Sequence, residues 1–311
     1  MAAQRLNLGR RRIFAGESAA DVVFDIVNTV LVAIMLVIFA YPLIYVLNCS
    51  FSDAVSIWGG EVLLFPKNFN VEGYRLAFEN SDIWRGYLNS LLYTASGTTV
   101  SVGLSLLTAY PLSRRDFMPR NVIMFLYVFC MYFGGGLIPT YLVVKSCGMI
   151  DTVWALIIPG AVSTWNVILI RTYFQGNIPA ELYEAASIDG CSHTLFFLRV
   201  VLPLSSPIIA VMVLFTAVGF WNSYFNAMIY LTSRSKFPLQ LILREILVAV
   251  TSAFSSRSAS AQDAKNLMEI ALRSANLKYA CIVISSLPVM VLYPFVQRYF
   301  VTGIMVGAVK S

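Results

Sequence analysis

Charge is what this sequence has least of. Asp, Glu, Lys and Arg make up 12% of its 311 residues, apolar residues 58%, and the mean hydropathy is +0.74. A soluble domain carries roughly 25% charged residues, so the deficit points to lipid as the solvent rather than to an unusually apolar soluble enzyme. Histidine occurs once, as His193, with no nucleophile motif around it, so a solvated or capping role suits it better than general-base chemistry. The cysteines at 49, 130, 147, 191 and 281 are isolated and odd in number, which gives neither a disulfide framework nor a metal-ligand spacing. There is no Gly-Lys pair anywhere, and hence no G-x-x-x-x-G-K-[ST] phosphate-binding loop; if nucleotide is used, another chain must bind it. Alternating strand patterns are absent too, which argues against a β-barrel. The net charge of +6 is scattered rather than gathered into a stripe, so it is no nucleic-acid footprint. Juxtamembrane arginines against anionic lipid account for most of it.

What fills the sequence instead is long apolar runs. Six of them, at 22–47, 88–112, 122–145, 153–173, 206–231 and 278–299, approach the roughly 20 residues needed to cross a hydrocarbon core. The first is too long for a signal-peptide core and runs into Tyr41-Pro42 rather than a small-residue cleavage site. Because a spanning segment must satisfy its own backbone, the expected architecture is an all-α membrane protein with six transmembrane helices. Residues 22–299 form one membrane domain, flanked by a segment 1–21 and a tail 300–311. Arg5, Arg10, Arg11 and Arg12 precede the first span, and Arg114, Arg115 and Arg120 occupy the 113–121 turn, whereas 146–152 contains no Lys or Arg. The short loops therefore put both termini, the 113–121 turn and the 174–205 loop in the cytoplasm, and 48–87, 146–152 and 232–277 outside. The 48–87 segment reads as a small folded cap, and the Ser/Ala-rich run 251–261 as an exposed, low-complexity loop.

Ionisable residues within the spans are rare, and Asp25 and Arg171 both lie near span ends where a side chain can snorkel to the interface. A self-powered, proton-coupled carrier would place a carboxylate or histidine near the midplane, and none is there. The interior offers neutral polarity in its place: Asn89, Tyr93, Trp165, Asn166, and the run Phe220-Trp221-Asn222-Ser223-Tyr224-Phe225-Asn226. Rings beside amides and hydroxyls suit polyhydroxy solutes, so Trp221, Asn222, Tyr224, Asn226 and Asn166 are the candidate substrate-pathway residues; interhelical hydrogen bonding is the competing role. Gly134-Gly135-Gly136 lies inside a span, where it allows close helix packing or a bend next to Pro139.

The 174–205 loop is a polar island between greasy neighbours. Pro179 suits a helix's first turn, Glu181 and Glu184 favour its positive N-terminal end, and Gly190 is a natural stop. Ser192 can cap a second helix from Thr194 to Leu202, ahead of Pro203. Leu182, Ala185 and Ala186 make a small apolar face, and 174–198 contains no Lys or Arg, which favours docking into a protein groove over lying on an anionic lipid surface.

The order Glu184-Ala185-Ala186, three residues, Gly190, nine residues, then Val200-Val201-Leu202-Pro203 resembles the EAA signature of ABC importer permeases. Val200 replaces that family's usual isoleucine, and Cys191 stands where a small residue is common. In the family this loop is a coupling helix seated in a cleft of the cytoplasmic ATPase, so the resemblance implies an ATPase-coupling role for Glu184, Ala185, Ala186, Asp189, Gly190, Leu202 and Pro203. The six spans, Trp221-Asn222, and the ending Gly303-Ile304-Met305-Val306-Gly307-Ala308-Val309-Lys310 are similar to carbohydrate permeases related to the maltose importer's smaller membrane subunit. Phe133-Gly134-Gly135-Gly136-Leu137-Ile138-Pro139-Thr140-Tyr141 further resembles the subgroup for complex polysaccharide or aldouronate uptake. The resemblance implies a type I ABC importer (MetI-like) permease fold in the bacterial cytoplasmic membrane. It implies import of an oligosaccharide with a second homologous permease, two ATP-binding cassette subunits that hold MgATP, and an extracytoplasmic solute-binding protein. This chain itself would bind no cofactor. A stand-alone secondary carrier is the rival reading, and a membrane receptor or scaffold a third.

Overall fold

The computed structural model describes residues 19–255, 272, 274–294 and 297, and among these it contains helices and no β-strand. In chain order the helices are α1 (Ala19–Ser50), α2 (Ala54–Trp58), α3 (Glu72–Glu79), α4 (Ser81–Ser113), α5 (Arg120–Tyr132), α6 (Leu137–Ser146), α7 (Trp154–Ile157), α8 (Thr164–Asn177), α9 (Ala180–Ile188), α10 (His193–Leu204), α11 (Ser206–Trp221), α12 (Phe225–Tyr230), α13 (Leu239–Ser255) and α14 (Ser274–Pro294). Of these, α1, α4 and α14 are each long and apolar enough to cross a membrane alone. Three bent pairs raise the number of spans to as many as six: α5 with α6 at 114°, Trp154–Gly160 with α8 at 52°, and α10 with α11 at 79°.

The sequence foresaw continuous spans where the structure has breaks, except at the glycine triplet, where a bend next to Pro139 was one of two readings; each break has a local cause. Between α5 and α6 stands the glycine triplet, with Gly136 at φ +85° and open space where a side chain would be. Here glycine serves the bend and not close packing. Pro159-Gly160 closes a short 3₁₀ turn ahead of α8. The expected span 206–231 ends at Trp221, where the Asn222 and Ser223 N–H groups bond back to Val218 and Phe220 carbonyls before α12 restarts at Phe225. Conversely, α4 begins earlier than foreseen: Asn80 accepts the Asp82 N–H at 3.0 Å, capping a helix that takes in residues assigned to the outer loop. The 232–277 segment also contains a helix, α13, that the sequence reading missed. The expected span 278–299 corresponds to α14, which already includes Ser274; the ends of the chain and 256–271 lie outside the described residues.

The core is organised around α4. Its buried face, from Tyr93 through Val102 and Leu106 to Leu112, packs against α8, α11 and α13. Toward its C-terminus it joins a cluster with Val167, Ile170, Phe174, Phe196, Phe197, Val201 and Met212; toward its start lie Ile83, Trp221, Leu239 and Ile242. At Gly86 a Cβ would come within 2.5 Å of the Ile242 side chain and 3.2 Å of Leu239 backbone, so glycine here lets α13 close onto α4. By contrast, the central part of α1 is apolar all round, and none of its most hydrophobic stretch is buried among the described residues. A helix of that kind needs lipid or another protein on its free sides.

Candidate functional site

Two ends of the bundle carry different chemistry. At one end α4 finishes, and the chain turns through Arg114, Asp116 and Arg120. The closing carbonyls of α4 are met by cations: Arg171 Nε donates to Leu112 O at 2.9 Å, and Arg120 Nη1 donates to Arg114 O at 2.9 Å. Guanidinium groups at a helix C-terminus satisfy unpaired carbonyls and favour the dipole. Arg171, foreseen as an interface snorkel, is thus a helix-end partner.

On this same end lies α9. Pro179 occupies its N-cap rather than its first turn, and Glu181 stands in the first turn. The helix stops by a Schellman arrangement: Gly190 N–H donates to Ser187 O at 3.1 Å and Cys191 N–H to Ala186 O at 2.9 Å, with Gly190 at φ +75°. Ser192 then caps α10 by accepting the Leu195 N–H at 3.3 Å. The second helix was expected to end ahead of Pro203, yet α10 continues through it to Leu204. A π-helical turn at Phe197–Val201 absorbs the register change, and Ser205 N–H reaches Val201 O at 3.0 Å and Leu202 O at 3.1 Å where the chain turns into α11.

The packing of α9 is one-sided. Tyr183 is held by three groups: the Arg114 guanidinium 3.2 Å from its ring centroid, His193 stacked at 5.3 Å, and Phe196 edge-on at 5.4 Å. Ala186 joins the same cluster. Glu184, Ala185, Asp189 and Gly190 are exposed, and Ile188 leaves 86% of its surface uncovered. Arg114 is itself fixed by a two-pronged pair to Asp116, at 2.9 and 3.0 Å, with the Arg114 side chain only 15% exposed. That hydrogen-bonded partner holds the Asp116 carboxyl below the usual carboxylate range. Glu181 and Glu184 line, together with Arg114, Arg115, Arg120 and Arg171, a cleft of about 920 Å³. Arg114 and Tyr183 are the functional residues that sequence reasoning missed, since arginine in a short loop signals topology and a tyrosine within an acidic helix signals nothing.

Toward the other end, Trp221 is buried and its indole N–H donates to Ser285 O at 2.9 Å. Trp221, Asn222 and Tyr224 border a cavity of about 570 Å³ whose remaining walls are α13 and α14. The other two candidate pathway residues lie elsewhere. Asn166 points to Thr216 Oγ1 at 3.5 Å, between α8 and α11, and Asn226 is exposed on α12 outside the cavity. Asn89 and Tyr93, also noted for interior polarity, tie α4 to the 232–237 segment: Asn89 Nδ2 donates to Ser235 O and Phe237 O, and the Tyr93 hydroxyl to Lys236 O. That segment is locked in turn to Asp151, whose carboxylate accepts from Thr232 N–H, Ser233 N–H and hydroxyl, and Lys236 Nζ. These donors, Lys236 foremost, depress the Asp151 pKa well below the ordinary range. No cluster of possible metal ligands occurs among the described residues.

No family model matches the chain. Among curated proteins it is 41% identical over 270 residues to the polygalacturonan/rhamnogalacturonan transport system permease protein YtcP of Bacillus subtilis (strain 168), covering 87% of this chain and 92% of that protein. It is 38% identical over 289 residues to protein LplC of the same organism, covering 93% and 95%. The melibiose/raffinose/stachyose import permease protein MelC of B. subtilis is 27% identical over 80% of this chain and 84% of its own length. Among solved structures, a bacterial ABC transporter involved in the import of the acidic polysaccharide alginate matches with a TM-score of 0.81 and 32% identity, over 92% of this chain and all of that one. An apolar helical bundle, an exposed EAA helix stopped at Gly190, and relatives of this length and identity lead to one conclusion. The chain belongs to the family of ABC transporter permeases for sugars and polysaccharides, and is a membrane protein of that kind.

Proposed function

We propose that this chain is one of two non-identical permease subunits of an ATP-driven, binding-protein-dependent oligosaccharide importer. It lies in the bacterial cytoplasmic membrane with the α9 end and both termini in the cytoplasm. The chain contributes no catalytic site; MgATP is bound and hydrolysed by two ATP-binding cassette subunits, and α9 is the element that docks into them. The observation that carries this reading is the one-sided packing of α9. Tyr183 and Ala186 pin one face to the core, while Glu184, Ala185, Ile188, Asp189 and Gly190 are left uncovered. A short helix bearing an apolar knob and carboxylates fits a groove on a partner protein.

Force applied to α9 has a short route inward. Tyr183 bears on Phe196 of α10, and α10 turns directly into α11, which ends at Trp221 on the cavity wall. Closure of the ATPase dimer would swing α9 and α10 as a lever and move that wall, switching the cavity between inward and outward exposure. The opposite end, fastened by Asp151 and Lys236, would meet the solute-binding protein. Glu184→Lys tests this. Expressed with its neighbouring transport genes, the variant should insert and associate with the second permease, yet lose ATPase association or coupled uptake. Uptake at the wild-type rate would count against the lever. Reproducible purification of the wild-type chain free of any ATPase would favour a stand-alone carrier.

A further inference from the structure

The segment between α1 and α4 folds so that its polar groups meet one another and its apolar groups are left outside. Residues 59–71 join α2 to α3, and this loop is tied to the end of α1. Lys67 N–H donates to Ser52 Oγ at 3.1 Å, Asn70 N–H donates to Phe51 O at 2.8 Å, and the Phe69 ring stacks on Phe51 at 5.6 Å. Tyr74 of α3 closes the same corner, its hydroxyl 2.8 Å from Ser50 Oγ. The polar side chains of the loop are spent locally: Lys67 Nζ pairs with Glu61 at 3.1 Å, and Asn68 donates to Asp53 Oδ1 at 3.3 Å and Ser56 Oγ at 3.2 Å. What remains outward is apolar. Leu63, Leu64, Phe65 and Phe69 leave 60%, 58%, 79% and 72% of their surface uncovered. Single exposed apolar residues are ordinary, but four large ones on one hydrogen-bonded loop mark an interaction surface.

Depth identifies the partner. The apolar run of α1 ends at Leu47, and the loop is pinned to residues 51–53, roughly 6–9 Å further along at 1.5 Å per residue. A hydrocarbon core of about 30 Å within a bilayer of about 40–45 Å leaves a polar layer of about 5–8 Å on each face, so the loop lies at the level of the headgroups. The most hydrophobic stretch of α1, directly below, is uncovered among the described residues, which makes apolar surface continuous from span to loop. A protein partner would ask for about one hydrogen bond per 100–200 Å² of interface, and the loop's side-chain donors are already paired with one another. Trp58 on α2, 49% exposed, is of the residue type enriched at this depth.

We propose that residues 63–69 are a lipid anchor. Leu63, Leu64, Phe65 and Phe69 enter the boundary between headgroups and acyl chains of the leaflet opposite the α9 end, and hold the segment between α1 and α4 at a fixed depth. The inference goes beyond the importer reading and needs only that α1 crosses the bilayer.

The test is photo-crosslinking in the complete transporter, held in nanodiscs of phosphatidylethanolamine and phosphatidylglycerol, with p-benzoylphenylalanine at 64 or 65 and mass spectrometry of the adduct. Position 188, exposed on α9, sets the background. Both loop positions should give phospholipid adducts at least about fivefold above it, as a side chain in lipid rather than water requires. If the variant at 65 fails to assemble, position 64 decides by the same outcomes. Adducts confined to the second permease, the solute-binding protein or another part of this chain overturn the anchor, and so does a lipid yield at background. Phospholipid adducts in a complex that imports no sugar would support the anchor and count against the importer, whereas their absence from a transporting complex would overturn the anchor alone.

Discussion

Asp151 holds a left-handed backbone, φ +58°, in the turn between α6 and α7, and its carboxylate gathers two backbone N–H groups, a hydroxyl and an ammonium from the 232–236 segment. Asparagine tolerates that backbone and keeps the shape, so Asp151→Asn isolates the charge. Because the folded-state pKa is depressed, the stabilisation is present above the unfolded value of about 4 and is lost as pH falls through the folded value. Thermal melts in detergent should therefore show wild type above Asp151→Asn by a constant margin from pH 5 to 7, with the gap closing below about pH 4. A gap independent of pH down to 3 would show that the charge is not what locks the turn. At the other end, Arg114→Ala removes both the contact over Tyr183 and the pair with Asp116. Loss of a partly buried cation–π contact of about 1–2 kcal/mol should speed amide exchange in 180–188 about tenfold, and Arg114→Lys should not restore it, lacking the planar fork. Exchange unchanged in Arg114→Ala would mean that α9 is held by other contacts. Neither role was legible in the sequence, because Arg114 and Tyr183 are 69 residues apart and Asp151 is 81 from Thr232; only the folded chain brings them together.

Helices were easier to read than their ends. The stop at Gly190 and the cap at Ser192 were legible because glycine and serine act there through their own backbone and side chain. The bends were less so: the glycine triplet suggested a bend or close packing alike, since a run such as Phe125 to Val144 is equally apolar whether straight or folded back by 114° at Gly136. α13 was missed because Gln240, Arg244 and Glu245 break its apolar run below the length of a span, although Leu239, Ile242, Leu243 and Ile246 are buried or half-buried against the bundle. Two substitutions test these elements. Gly190→Val meets no obstructing atom but must adopt φ +75°, so it should cost about 1–2 kcal/mol of local stability and fray the end of α9, read as lost exchange protection at Cys191. Gly86→Val would instead collide with Ile242 and the Leu239 backbone, lifting α13 from α4 at a cost of about 1–3 kcal/mol, read as a lower melting temperature in detergent. A variant that melts like wild type would mean that α13 does not depend on close approach at Gly86.

At the scale of the whole molecule, the all-helical membrane class and the family were legible from composition and one signature, and the relatives agree over nearly the full chain. The number of crossings was less so: among the described residues three helices are long and apolar enough to cross by themselves, and three further spans arise only if each bent pair is counted as one. The two ends, by contrast, hold together as groups. The 113–121 turn meets the 174–205 segment through Arg114 and Tyr183, and the 146–152 turn meets the 232–237 segment through Asp151. If α9 is where a motor attaches, the most direct measurement is photo-crosslinking from Ile188, with Phe65 as the control. Phe65 is 79% exposed and belongs to the 48–87 segment at the other end of the bundle. In the complete transporter, a photoreactive residue at 188 should crosslink to the ATP-binding cassette subunit and one at 65 should not. Crosslinking of the ATPase from 65, or none from 188 in an actively transporting complex, would contradict the docking of α9.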